Sequence, residues 1–289
     1  MSPSELEKRV IQHILLALDS SVPSQVALEE AARLARRLGA ELNALFIEDT
    51  SLIELAQSPF ARHFNILSRT QESVSIPLME ARLLAQARER RRAFETVARR
   101  AGVRSSFRTM RGRVAEVVIA AAADQDLLLI GWATNQNEQE FLASTRLRGP
   151  REQRPSTLQA IAVGSKRPVL LLRKGDILNR PIVVVFGGSP GDQRALVNAA
   201  ALAGIARQKL VVLLAGEESL AELAAAILKD SPLRDVAYLI LSEISLAAVA
   251  AARNQAACGV IVLDAESPLL AGDGGSPLAV FSCPILLSR

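Results

Sequence analysis

The chain has 289 residues, enough for one large or two modest domains. Apolar residues make up 49% of it and aromatics only 3%, so it can build an aliphatic core but has little with which to stack single-stranded bases. The net charge of +4 rests on 29 Arg and 5 Lys against 30 acidic residues, and such arginine-heavy usage does not by itself point to nucleic acid.

The opening "MSPSELEKRVIQ" is charged and lacks the apolar core of a secretory leader. No run approaches 18 uninterrupted apolar residues, so no membrane span is expected. From Ile14, "ILLALDSSVPSQVALEEAARLARRLGAELNAL" reads as a strand, a polar turn, a helix with apolar residues at three- and four-residue spacing, and a second strand. Residues 49–113 read as a helical insertion. It holds "SLIELAQSPFARHFNILSR", with Phe60, Phe64 and His63, then the long helix "PLMEARLLAQARERRRAFETVARRAG". Leu83, Leu84, Ala87, Phe94, Val97 and Ala98 form its apolar stripe. Eleven arginines and two glutamates lie between Arg82 and Arg113. This arginine-rich helix, 82–113, is either a solvated face or a docking face for an anionic partner.

"VAEVVIAAAADQDLLLIG" then reads as a helix leading into a buried strand that ends at Gly131. Next comes a long loop with Arg146, Arg148, Arg151 and Arg154, and "KRPVLLLR" closes the half with a proline at the head of its strand. "RKGDILNRP" reads as a linker. At Ile182 the pattern starts again. At an offset of 168, without a gap, Gln25 meets Gln193, Leu28 meets Leu196, Ala31 meets Ala199, Leu34 meets Leu202 and Leu45 meets Leu213. "LAAVAAARNQAACGVIVLD" and "SCPILLSR" repeat the later segments. Each copy is a βαβ unit, which requires a parallel sheet and a right-handed crossover. The expected domains are 1–175 and a shorter one at 180–289. Cys258 and Cys283 each abut an apolar run, which suits a reducing, cytoplasmic setting.

The order of these segments, run through twice, resembles the universal stress protein family in its tandem two-domain form. The resemblance implies an α/β fold: two tandem five-stranded parallel-sheet domains of the adenine nucleotide alpha hydrolase-like type, joined as an internal pseudo-dimer. In nucleotide-binding members, an Asp after the first strand contacts the nucleoside. A stretch G-x-x-G, nine residues, G-S/T after the fourth strand wraps the phosphates, because backbone N–H groups reach phosphate closely only where no Cβ intervenes. Asp19 matches the acidic position and Gly131 the first glycine, while Thr134 replaces the second. The third falls on Ser144-Thr145 at the family spacing, or on Pro155-Ser156 when counted back from the last strand, which lengthens the loop by about eleven residues. The resemblance thus implies ATP or AMP in the first domain, held by Asp19, Gly131, Thr134, Ser156 and Thr157. The competing reading is a surface loop with a helix cap at Ser156 or Thr157.

In the second copy Gly187 stands at the acidic position and Asp264 at the first glycine, where a carboxylate repels phosphate. "FGGSPGDQ" reads as a Gly/Pro turn rather than a phosphate cradle, and the last helix is cut to about one turn. No Walker loop, dinucleotide fingerprint or C-x-x-C is present, and His13 and His63 are the only histidines. A zinc site or a Ser-His-Asp triad is therefore not expected, and with no catalytic base in view no enzymatic activity is assigned beyond slow ATP hydrolysis left open. Two readings of function result: a regulatory protein that binds an adenine nucleotide in its first domain only, or a nucleotide-free scaffold acting through protein contacts. The candidate partners are a second copy and a protein at the arginine-rich helix; nucleic acid is disfavoured.

Overall fold

The computed structural model describes residues 11–18, 23–50, 62–65, 70–73, 76–131, 157–173, 177–216, 219–270, 281 and 283–289. The first half contributes β1 (His13–Leu18), β2 (Glu41–Asp49), β3 (Arg62–Asn65), β4 (Thr70–Ser73), β5 (Ser105–Gly112), β6 (Leu127–Gly131) and β7 (Val169–Leu172). Its helices are α1 (Pro23–Leu38), α2 (Ile76–Ala101), α3 (Val114–Ala122) and α4 (Thr157–Gly164). The second half contributes β8 (Ile182–Phe186), β9 (Leu210–Ala215), β10 (Val236–Leu241), β11 (Val260–Asp264) and β12 (Ile285–Ser288). Its helices are α5 (Pro190–Ala206), α6 (Ser219–Leu228) and α7 (Leu246–Gln255), and a single 3₁₀ turn spans Pro268–Leu270.

Ten strands form one sheet in the order β10-β9-β8-β11-β12-β7-β6-β1-β2-β5. All neighbours are parallel except the central pair. There β12 and β7 run antiparallel, Leu286 opposite Leu170. Each half is a five-stranded parallel sheet, and the two join through their last strands as a pseudo-dimer. Both faces of the sheet are covered, so β8, β11 and β12 are buried end to end. On one face Leu28, Ala31 and Ala35 of α1, Phe94 of α2 and Leu196 and Ala203 of α5 pack on Ile14, Leu16, Val184 and Val262. On the other, Val118 of α3, Ile161 of α4 and Val249 of α7 pack on Leu15, Leu128, Ile261 and Leu287.

The stretch 49–113 is not wholly helical. Residues 62–65 pair antiparallel with 70–73, so His63 lies on a strand. The helix of the arginine-rich segment stops at Ala101, where Gly102 turns left-handed at φ +67°. The chain then enters β5, an edge strand aligned with β2, so Arg108 and Arg111 lie on a strand and not on the helix expected over 82–113. The physical reason is that past Gly102 the helical spacing of apolar residues ceases. α2 and β5 occupy the sheet positions that α6 and β10 occupy in the second half. Along α2, Leu83, Phe94 and Ala98 are buried and Ala87 and Val97 pack beside them, but Leu84 is 48% exposed and falls off the stripe.

Arg173 and Arg289 hold equivalent places, each directly after the final strand of its half. The Arg173 guanidinium donates to the Phe281 carbonyl of the second half. Arg289 donates to the Ala162 and Val163 carbonyls, both at 2.7 Å, in the last turn of α4 in the first half. A cation at a helix C-terminus meets the negative end of its dipole. Arg37 also crosses between halves, donating to the carbonyls of Leu178 at 3.2 Å and Ala206 at 3.1 Å.

Candidate functional site

In an open parallel sheet, ligands bind at the carboxyl ends of strands where strand order reverses. β1 is that place in the first half, since it pairs with β2 on one side and β6 on the other. The register Ala17 opposite Ile130 brings Leu18 and Gly131 side by side at the carboxyl edge. Gly131 is half-buried and still in the ladder, opposite Leu172. Having no side chain, it places no Cβ at the edge between β1 and β6. Thr157 is the first residue of α4, also half-buried, and the backbone N–H groups of that first turn face the same edge. The structure thus places Gly131 and Thr157 on one rim. Asp19, Thr134 and Ser156 lie outside the described residues.

The second half has the same topology and a different chemistry. β8 lies between β9 and β11, and Asp264 ends β11 where Gly131 ends β6. Asp264 is buried, and its carboxylate rests so close to Gly191 that a Cβ there would overlap it. Gly191 is therefore required by the close approach of this side chain to the first turn of α5. A second carboxylate fills the turn itself. Asp192 accepts from the N–H of Gly187 at 3.1 Å, the N–H of Ser189 at 3.1 Å and the hydroxyl of Ser189 at 2.8 Å. Ser189 in turn accepts from the Asp192 N–H at 3.0 Å, which completes a capping box with Pro190 leading the helix. Two N–H groups that could cradle an anion, those of Gly187 and Ser189, are already occupied by the chain's own carboxylate. The turn "FGGSPGDQ" is thus a helix cap, and two negative charges guard the place where a phosphate would lie.

The sequence reading missed Asp192, although S-x-x-D ahead of a helix is its signal. It also missed the charges that flank the first-half rim. Glu48 of β2 and Arg111 of β5 stand opposite each other in the ladder, with Arg111 Nε 3.1 Å from the Glu48 carboxylate. Arg111 also reaches Glu80 of α2 at 3.6 Å. Only the strand register, with opposite charges directly across from each other, reveals that pair.

A cavity of about 380 Å³ lies elsewhere, lined by Glu30, Arg33, Arg36 and Arg37 of α1 with Leu178 and Asn179. It runs along the C-terminal half of α1, away from the rim between β1 and β6, and Arg33 and Arg37 are committed to Glu30 and to the carbonyls of Leu178 in the linker and Ala206 in the other half. Among the described residues no group of three or more His, Cys, Asp or Glu is arranged to hold a metal ion. No helix among them is long and apolar enough to cross a membrane.

A five-stranded parallel half-sheet with a ligand rim at the switch strand, present twice and joined through last strands, defines a class of α/β protein. The model of the universal stress protein family matches residues 11–173, more than half of the chain, and the chain belongs to that family. A universal stress protein from Archaeoglobus fulgidus DSM 4304 superimposes with a TM-score of 0.74 over 98% of both chains at 15% identity. A putative universal stress protein from Pseudomonas aeruginosa UCBPP-PA14 superimposes with a TM-score of 0.58 over 97% of this chain and 94% of its own, also at 15% identity. At that identity the likeness establishes the tandem fold and nothing finer. No curated protein sequence matches the chain.

Proposed function

We propose that this protein is a cytoplasmic regulatory protein of the universal stress type, with domains at 1–175 and 180–289, that binds one adenine nucleotide, in the first domain only. The observation that carries this reading is the contrast at one equivalent position. Gly131 ends its strand without a side chain in the first half, whereas Asp264 and Asp192 place negative charge at the rim of the second. In the first half the donor set suits a nucleotide. Asp19 would accept from the nucleoside, the backbone at Gly131 would approach the phosphates, and the hydroxyls of Thr134, Ser156 and Thr157 with the first turn of α4 would donate to them. The bound nucleotide would act as a signal.

The test is to analyse the small molecules released on denaturing the purified chain, with calorimetric titration of ATP and AMP. One nucleotide per chain is expected. Binding should vanish with Asp19→Ala, and also with Gly131→Asp, which copies into the first half the carboxylate of the second. Persistence of binding in both variants, or two nucleotides per chain, would overturn the proposal. The scaffold reading is favoured by the exposed basic face of α2, formed by Arg82, Arg88, Arg91, Arg92, Arg99 and Arg100. A chain that takes up no nucleotide at millimolar concentration would move the function to that face.

A further inference from the structure

The two cysteines of the second half meet at the amino ends of neighbouring strands. Cys258 lies two residues before β11 and Cys283 two before β12. The register Ile261 opposite Ile285, continued backward, sets Cys283 opposite Gly259, one residue along from Cys258. Neighbouring strands lie about 4.8 Å apart and one residue adds about 3.3 Å, so the two Cα atoms are roughly 6 Å apart. That separation lies within the Cα range that a disulfide spans. Both side chains turn into the same core layer, beside Val249 and Phe281, and the thiols hydrogen-bond to each other. Both are free thiols.

The pair is polarised. The hydrogen bond from Cys258 and the positive charge of Arg253 hold the Cys283 thiol down at about 7 against the opposing effect of burial. The same hydrogen bond, together with burial, pushes Cys258 far above the ordinary thiol range. Cys283 is therefore the sulfur that carries the negative charge near neutral pH. Each residue keeps 6% exposure, so the pair is buried rather than displayed on the surface.

We propose that Cys258 and Cys283 are an oxidation site, a dithiol that a hydroperoxide converts to an intramolecular disulfide tying β11 to β12. The Cys283 thiolate attacks one oxygen of hydrogen peroxide. The O–O bond breaks, and the departing hydroxide takes a proton and becomes water, leaving a sulfenic acid on Cys283. The Cys258 sulfur then attacks the Cys283 sulfur. The S–S bond forms, the S–O bond breaks, and hydroxide leaves with the Cys258 proton as a second water. Two thiols lose two electrons in all, and one peroxide gains them.

The test uses the folded full-length chain, treated with hydrogen peroxide, then denatured in an alkylating reagent and weighed by mass spectrometry. The expected product has lost the mass of two hydrogens and both alkylation sites, yields one linked peptide containing Cys258 and Cys283, and reverts with dithiothreitol. The rate should rise as pH passes through about 7. Cys258→Ser should accumulate a dimedone-reactive sulfenic acid on Cys283, and Cys283→Ser should leave Cys258 unreacted. The oxidised native chain should also melt several degrees higher, because the closed loop restricts the unfolded ensemble. Full alkylation of both thiols after excess peroxide, chains linked to one another, or a disulfide that forms only after denaturation would each overturn the proposal. The native-chain mapping needs no variant to fold.

Discussion

Gly39 and Arg207 hold the same place in the two copies, one residue past the end of α1 and of α5. Both adopt left-handed backbone, at φ +67° and φ +53°. Glycine does this freely, whereas a residue with a Cβ pays about 1–2 kcal/mol. Nothing crowds the Gly39 site, so the effect of a substitution there is purely conformational. Arg207→Gly should therefore stabilise the chain by roughly 0.5–1 kcal/mol and Gly39→Ala should destabilise it by about 1 kcal/mol, read as opposite shifts of the urea midpoint. Asp192→Ala makes a different test. It removes one acceptor from three donors and should cost about 1–2 kcal/mol. Nucleotide binding in the first half should be unchanged, because the cap belongs to the other cleft. Of these features the left-handed turn was open to a sequence reading at Gly39 and hidden at Arg207, where only a gapless comparison of the copies could expose it.

α2 and β5 show what periodicity can and cannot say. The apolar stripe from Leu83 to Ala98 reads correctly as a buried face except at Leu84, because a helix of 26 residues repeats its own signal. Leu84 and Phe94 then separate the two faces: Phe94 is 1% exposed and packs on the sheet and on Phe107, with ring centroids 5.9 Å apart. Phe94→Ala should cost roughly 3–5 kcal/mol, and Leu84→Ala less than about 0.5 kcal/mol, measured by chemical denaturation. β5 escaped the sequence reading because, at the edge of the sheet, all of it but Phe107 and Gly112 is exposed. Arg108 and Met110 are open to solvent there, so the run "SSFRTMRG" carries no continuous apolar signal. The pairing of residues 62–65 with 70–73 escaped for a related reason: eight paired residues apart from the main sheet imprint almost no pattern. The strand-final positions Gly131 and Asp264 were legible, since buried strands announce their own ends. What Asp264 does was not, because its contact with Gly191 joins residues far apart in the chain.

The two halves share one continuous sheet and one core layer, which runs from Ile14 and Phe94 through Leu170 to Val184 and Leu214. A structure so joined should unfold in a single calorimetric transition. Arg289→Ala should lower that transition by a few degrees without splitting it, since it frees two helix-end carbonyls while the β7–β12 ladder stays intact. Two resolved transitions would show that the seam is weaker than its burial implies. The seam has a further consequence. When two separate copies of one chain pair through their last strands, every substitution appears in both clefts at once, and a change that closes one closes the other. Here the pairing lies within a single chain, so the clefts are free to differ, and they do: glycine in one, aspartate in the other. Covalent linkage lets the two clefts diverge, and in the second the carboxylates of Asp264 and Asp192 have become part of the frame.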